Sequence, residues 1–166
     1  MTDEVEEQCC GIAPHSQVCA VQRTAEKSAC PGCGTRLRPM STAHVMHQLH
    51  GPRGRGIEGV ASFGFCPVAE CTVVYLGTGG ERFEVDDLRR PPAYKTGRPS
   101  DLLCYCFDVT GAEALSHAGD AAIAFISERI RADDCACDVL NPSAGCCLGS
   151  IGAYRKAHTP TDSQRA

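Results

Sequence analysis

Cys30-Pro31-Gly32-Cys33-Gly34 and Phe65-Cys66-Pro67-Val68-Ala69-Glu70-Cys71 decide how the first half of this chain folds. Each stretch presents two thiols from nearby backbone positions, and 32 residues separate the two pairs. Zinc takes four soft ligands in a tetrahedron, and two short-spaced cysteine pairs can supply them. The spacing predicts a zinc ribbon held by Cys30, Cys33, Cys66 and Cys71, with a second knuckle looser than the usual two-residue gap. A redox Cys-x-x-Cys is the competing reading of Cys30 and Cys33. It calls for a βαβ context, which the flanking sequence does not offer.

Between the knuckles, Ser41 or Thr42 caps a predicted short helix through Leu49. His44 and His47 share a face of that helix and, with His50, could ligate metal. With four thiols already available, ordinary surface histidines are the expectation. Gly51-Pro52-Arg53-Gly54-Arg55-Gly56 reads as a flexible basic loop, and Phe63-Gly64-Phe65-Cys66 as the start of extended structure. Thr72–Leu76 reads as a strand, Gly77-Thr78-Gly79-Gly80 as a turn and Arg82–Val85 as the returning strand. Residues 29–90 are therefore expected to form a small β-hairpin domain. Residues 1–28, with Cys9, Cys10 and Cys19, read as a mobile tail.

Composition points the same way. The chain has 166 residues and 13 cysteines, only 5% aromatic residues and no Trp. So little bulky apolar material leaves folding dependent on other sources of stability, and metals supply it. The acidic start Met1-Thr2-Asp3-Glu4-Val5-Glu6-Glu7 lacks the basic and apolar regions of a secretory signal. No stretch approaches the roughly 20 apolar residues of a membrane span. A cytoplasmic, reduced chain is expected, in which clustered cysteines hold metal rather than disulfides. The odd cysteine count agrees. Net charge is −4 and falls wholly on residues 101–166, which argues against nucleic acid. An acidic surface around a redox site can steer a basic partner, although a merely soluble surface explains it equally well.

Pro91-Pro92 through Ser100 reads as an extended, basic linker (91–100). Residues 101–157 then read as helical. Thr110-Gly111-Ala112-Glu113 is a capping-box pattern. The helix it starts is expected to break near Gly119, and another runs from about Asp120 to Arg131 with Ile123, Ile126 and Ile130 on one face. A last short helix passes through Ile151 and Tyr154, and residues 158–166 form a tail. Six cysteines lie here: 104, 106, 135, 137, 146 and 147. A Cys-x-Cys pair followed about 30 residues later by further cysteines fits a 2Fe–2S cluster. A second zinc site would accept the same thiolates.

Cys104-Tyr105-Cys106-Phe107 resembles the motif of bacterioferritin-associated-ferredoxin-like 2Fe–2S domains. The span from Cys30 to about Gly152 resembles the amino-terminal domain of the larger CopZ-type copper chaperones. That resemblance rests on residues 30–34, Phe65-Cys66 to Cys71, Val73-Val74-Tyr75, Cys104–Phe107, Cys135-Ala136-Cys137, Asn141-Pro142-Ser143 and Cys146-Cys147-Leu148-Gly149. It implies zinc on Cys30, Cys33, Cys66 and Cys71, and a 2Fe–2S cluster on Cys104, Cys106, Cys137 and Cys147. Cys135 and Cys146 are close enough in sequence to substitute for the latter two. It also implies an electron carrier rather than a true enzyme, able to reduce cupric to cuprous ion for a copper chaperone, a copper-transporting ATPase or another redox partner. The complete chaperones carry a further copper domain with a Met-x-Cys-x-x-Cys loop. This sequence lacks that loop, so the resemblance is to the redox domain alone. Cys9, Cys10 and Cys19 could offer a substitute soft-metal site or be unimportant.

The expected fold is α+β, a small zinc-ribbon-like β-hairpin domain followed by a short-helix 2Fe–2S domain. The competing reading is a non-redox adaptor with two zinc sites.

Overall fold

The computed structural model describes residues 29–159. The tail containing Cys9, Cys10 and Cys19 lies outside them, as do residues 160–166. In the first half, strand β1 (Arg38–Met40) leads into helix α1 (Thr42–Gln48). Strands β2 (Phe63–Phe65), β3 (Val73–Gly77) and β4 (Arg82–Glu84) follow. The four strands form one antiparallel sheet in the order β1-β2-β3-β4. Ser41 caps α1 by accepting from the His44 N–H at 3.2 Å, as its position before the helix predicts.

The sequence predicts extended structure starting at Phe63 and the β3–β4 hairpin, and β1 and the pairing of β2 with β3 make the sheet larger. β2 is three residues long and buried throughout, so it lacks the alternation that marks a half-exposed strand. β1 contains Pro39, which has no N–H to donate, and it lies at the sheet edge where that loss is tolerated. β3 is central, with Val73, Val74 and Tyr75 fully buried. Its core joins Val45 and Leu49 on the helix side to Phe63, Phe65, Phe83 and Leu88.

The stretch read as an extended linker is instead packed. Residues Ala93–Thr96 form a single helical turn, α2, closed by Gly97 at φ 68°. That left-handed conformation costs glycine nothing and ends the helix. Ala93 is fully buried in the second core.

The second half begins with a two-stranded sheet that sequence patterning does not reveal, β5 (Leu102–Cys104) and β6 (Val109–Thr110). Helix α3 (Gly111–Leu115) carries the expected capping box between Thr110 and Glu113. Helix α4 (Gly119–Arg131) starts where the break was expected. A Cβ at Gly119 would lie 2.4 Å from the Ala114 carbonyl oxygen, so the close approach of α3 and α4 requires glycine there. The one-turn helix α5 (Cys137–Leu140) and the longer α6 (Cys147–His158) are the last elements among the described residues. Ile126, Ile151, Tyr154 and Leu103 pack around Cys104, Cys137 and Cys147. No helix among the described residues is long and apolar enough to cross a membrane.

Gly64, on β2, is tightly packed against Leu37. A Cβ there would fall 2.7 Å from Leu37 Cβ, and Leu37 is itself buried beside the zinc-type cysteines. Replacing Gly64 by Ala is expected to destabilise the fold by about 1–3 kcal/mol through overpacking. Denaturant unfolding of the metal-loaded protein checks this, and an unchanged midpoint would contradict the packing described.

Candidate metal centres

Cys30, Cys33, Cys66 and Cys71 converge. Cys30 Sγ lies 3.7 Å from Cys71 Sγ, and Cys33 Sγ lies 3.6 Å from Cys66 Sγ. All four sulfurs fall within 4.8 Å of one another. Zinc–sulfur bonds of about 2.3 Å in a tetrahedron put sulfurs about 3.8 Å apart, so the spacing fits a single zinc ion. Among the described residues, these four make the one group of three or more histidine, cysteine or carboxylate side chains placed to hold one metal ion. His44, His47 and His50 are not in it. His47 and His50 are exposed, while His44 is half-buried at the boundary between the halves.

Local structure explains the convergence. The first knuckle is a turn in which Cys30 N–H donates to Thr35 O and Gly34 N–H to Cys30 O, both at 2.8 Å. A Cβ on Gly32 would sit 3.0 Å from Cys71 Sγ, so the turn passes close to the opposite sulfur. Cys66 directly follows β2, and Cys71 lies two residues before β3. The sheet therefore fixes both ends of the longer second knuckle. Backbone N–H groups approach the sulfurs, and that of Thr35 is the main cause that lowers the Cys33 thiol to about 6. Burial pushes Cys66 up to about 12 and raises Cys71. Four thiols this close cannot all ionise unaided, and a divalent cation removes the conflict.

Lys95 on α2 completes the centre, and sequence reading misses it because its segment looks like a linker. Its Nζ donates to the carbonyls of Val68, Cys71 and Val73 at 2.6, 3.0 and 3.2 Å. Burial lowers its pKa, while the four cysteines of this site act in the opposite direction. One zinc ion with four thiolates carries a net charge of about −2, which a half-buried ammonium partly offsets.

The second cysteine group has a different geometry. Cys104 ends β5, Cys106 lies in the turn beyond it, and Cys137 and Cys147 open α5 and α6. Cys106 Sγ and Cys137 Sγ are 3.7 Å apart. The neighbouring Cys147 thiol, with the backbone N–H groups of Phe107 and Cys106, lowers Cys104 to about 6. In turn, the Cys104 thiol and burial raise Cys147. Burial raises Cys137, against the opposing effect of the Cys147 N–H. The Ala136 N–H donates to Cys106 Sγ at 3.3 Å. Of the four cysteines sequence reading selects, Cys106 and Cys137 are in direct contact, and Cys104 and Cys147 are near enough to shift each other's thiols. Cys146 is exposed and Cys135 is half-buried.

The loops around this group are strained. Among the described residues, Asp108, Asp133 and Ala144 are the non-glycine positions with positive φ, at 53°, 60° and 51°. Each lies two residues from Cys106, Cys135 or Cys146. Such conformations cost about 1 kcal/mol or more apiece and persist where surrounding structure enforces them.

Replacing Lys95 by Met should leave zinc bound but speed its transfer to a competing chelator on the order of tenfold, as loss of an outer-shell partner does. Stopped-flow chelator competition checks this, and an unchanged rate would remove Lys95 from the centre.

Comparison with known proteins bears on the first centre most directly. Residues 27–89 match the zinc binding domain of the CopZ family. No curated protein is significantly similar in sequence. The X-ray structure of the Archaeoglobus fulgidus CopZ N-terminal domain is similar with a TM-score of 0.62 and 25% identity. The match covers 81% of this chain and 100% of that one. The four-cysteine geometry and the matched domain together support zinc binding at residues 30–71, within a mixed helix-and-sheet fold similar to that of the Archaeoglobus domain.

Proposed function

We propose that this chain is an electron-transfer protein with structural zinc on Cys30, Cys33, Cys66 and Cys71 and a 2Fe–2S cluster on Cys104, Cys106, Cys137 and Cys147. One observation carries the reading: the sulfurs of Cys30, Cys33, Cys66 and Cys71 all lie within 4.8 Å of one another, whereas those of Cys104, Cys106, Cys137 and Cys147 do not close into such a single-ion group. A lone zinc ion needs all four sulfurs around one point, whereas a two-iron cluster takes two thiolates at each end. The pairs would be Cys104 with Cys147 and Cys106 with Cys137. The wider spread of the second four favours the cluster over the two-zinc adaptor.

When bound, the cluster supplies a one-electron couple. The chain's own residues shape the site around it. Cys104 and Cys147 are almost fully buried, at 0% and 1% exposure, among Ile126, Ile151 and Leu103. Cys106 is half-buried and faces the surface side. Backbone N–H groups of Ala136, Cys106, Phe107 and Cys147 point at the sulfurs and stabilise their negative charge.

The resemblance to CopZ-type proteins suggests copper as the metal served. One electron delivered through the Cys106 side would reduce cupric to cuprous ion for a chaperone or transporter, leaving the cluster oxidised. The acidic excess of residues 101–166 would favour a basic partner surface.

Anaerobically prepared protein should contain one zinc with about two iron and two sulfide per chain, and should give an electron paramagnetic resonance signal on reduction. Replacing Cys104 or Cys147 by Ser should abolish the iron, while replacing Cys146 should not. A preparation with two zinc ions, no sulfide and no visible absorption would establish the adaptor instead.

A further inference from the structure

The segment joining Cys137 to Cys147 carries two of the proposed cluster ligands, and it is held from the other half of the molecule. Helix α5 within it has only four residues. A helix this short does not persist on its own hydrogen bonds, and its last carbonyls lack partners within it. Side chains of the zinc half take up carbonyls at the end of α5 and just beyond it. Gln48 Nε2 donates to Val139 O at 2.9 Å. The Tyr75 hydroxyl donates to Pro142 O at 2.5 Å. His44 Nε2 makes a longer contact of 3.4 Å with that same carbonyl.

The grip is firm at both ends. Tyr75 is fully buried in the central strand β3, four residues after the zinc-type Cys71. Burial keeps its phenol protonated, so it donates throughout the physiological range. Gln48 is buried at the end of α1. On the other side, Asn141 stitches the segment into a unit. Its Nδ2 donates to Gly145 O at 2.9 Å, and its Oδ1 accepts from the Ser143 N–H and hydroxyl at 3.0 and 2.9 Å. Pulling on the 139 and 142 carbonyls therefore moves the whole stretch between the two cysteines.

We propose that Tyr75 and Gln48 are positioning residues for the second cysteine site, through which the zinc half clamps the 139–142 backbone and sets where Cys137 and Cys147 lie. The proposal rests on the cluster reading given above for its effect on iron, but the clamp itself is a property of the chain. It makes cluster retention depend on zinc, because loss of zinc frees Cys71 and loosens the strand that carries Tyr75.

The test compares the full chain with Tyr75→Phe and Gln48→Ala. Tyr75→Phe removes only a hydroxyl, and Gln48→Ala probes the clamp independently should the first variant fold poorly. Hydrogen exchange at the Asn141 and Ala144 amides, whose bonds lie within the segment, reports the clamp in zinc-loaded protein free of iron. Cluster half-life against an iron chelator and the paramagnetic resonance g values report its consequence. Both variants are expected to keep one zinc per chain, to exchange faster at 141 and 144, and to lose the cluster on the order of tenfold faster with altered g values. Unchanged exchange in both variants overturns the clamp. Faster exchange with wild-type half-life and g values reduces it to a structural contact and overturns the positioning role. A wild-type protein that never holds iron or sulfide fails earlier, on the cluster reading itself.

Discussion

Four sulfurs drawn to within 3.6–3.7 Å in two pairs are the contact on which the rest of this structure depends. They tie a turn at residue 30 to the ends of β2 and β3, more than 30 residues away. Without a cation the same sulfurs conflict, because burial and mutual repulsion oppose their ionisation. With one, the knuckles become a fixed end for the sheet. The cysteines replace the large side chains this sequence lacks: Cys30, Cys66 and Cys71 pack with Leu37 and Val73 as a small core of their own. Cys104, Cys137 and Cys147 do the same among the helices.

From that fixed end, two sets of contacts cross to the second half. Lys95 reaches back from α2 to three carbonyls of the second knuckle, bringing a positive charge beside an anionic metal centre. Tyr75 and Gln48 reach forward to the loop between Cys137 and Cys147. The halves are therefore joined by polar contacts at their metal-binding loops rather than tethered by a free linker. Tyr105 adds to the junction by donating to Arg90 O at 3.2 Å. The arrangement gives each centre a reason to need the other half.

What could be read from the sequence was local. The cap at Ser41 and the box at Thr110 and Glu113 depend on neighbours three residues away, and both stand in the structure. The cysteine knuckles announce themselves by short spacing. The Ile126 face of α4 follows from helical period, and Ile126 is fully buried. The features that escaped depend on distant partners or on missing pattern. β1 is only three residues long and carries a proline. The helical turn at 93–96 is hidden behind two prolines. Lys95, Tyr75 and Gln48 act on residues 22 to 91 positions away, and no local signal marks them. Grouping Cys104 and Cys106 with Cys137 and Cys147 rested on family resemblance rather than on spacing, since Cys135 and Cys146 are immediate neighbours of the selected residues.

X-ray absorption at the zinc and iron edges of a single anaerobic preparation tests the central claim most directly, namely that two cysteine centres of different geometry hold two different metals. The account predicts a zinc edge with four sulfur neighbours at about 2.3 Å, and an iron edge showing sulfur neighbours together with a second iron nearby. A zinc edge that accounts for both centres, with no iron signal, would contradict it.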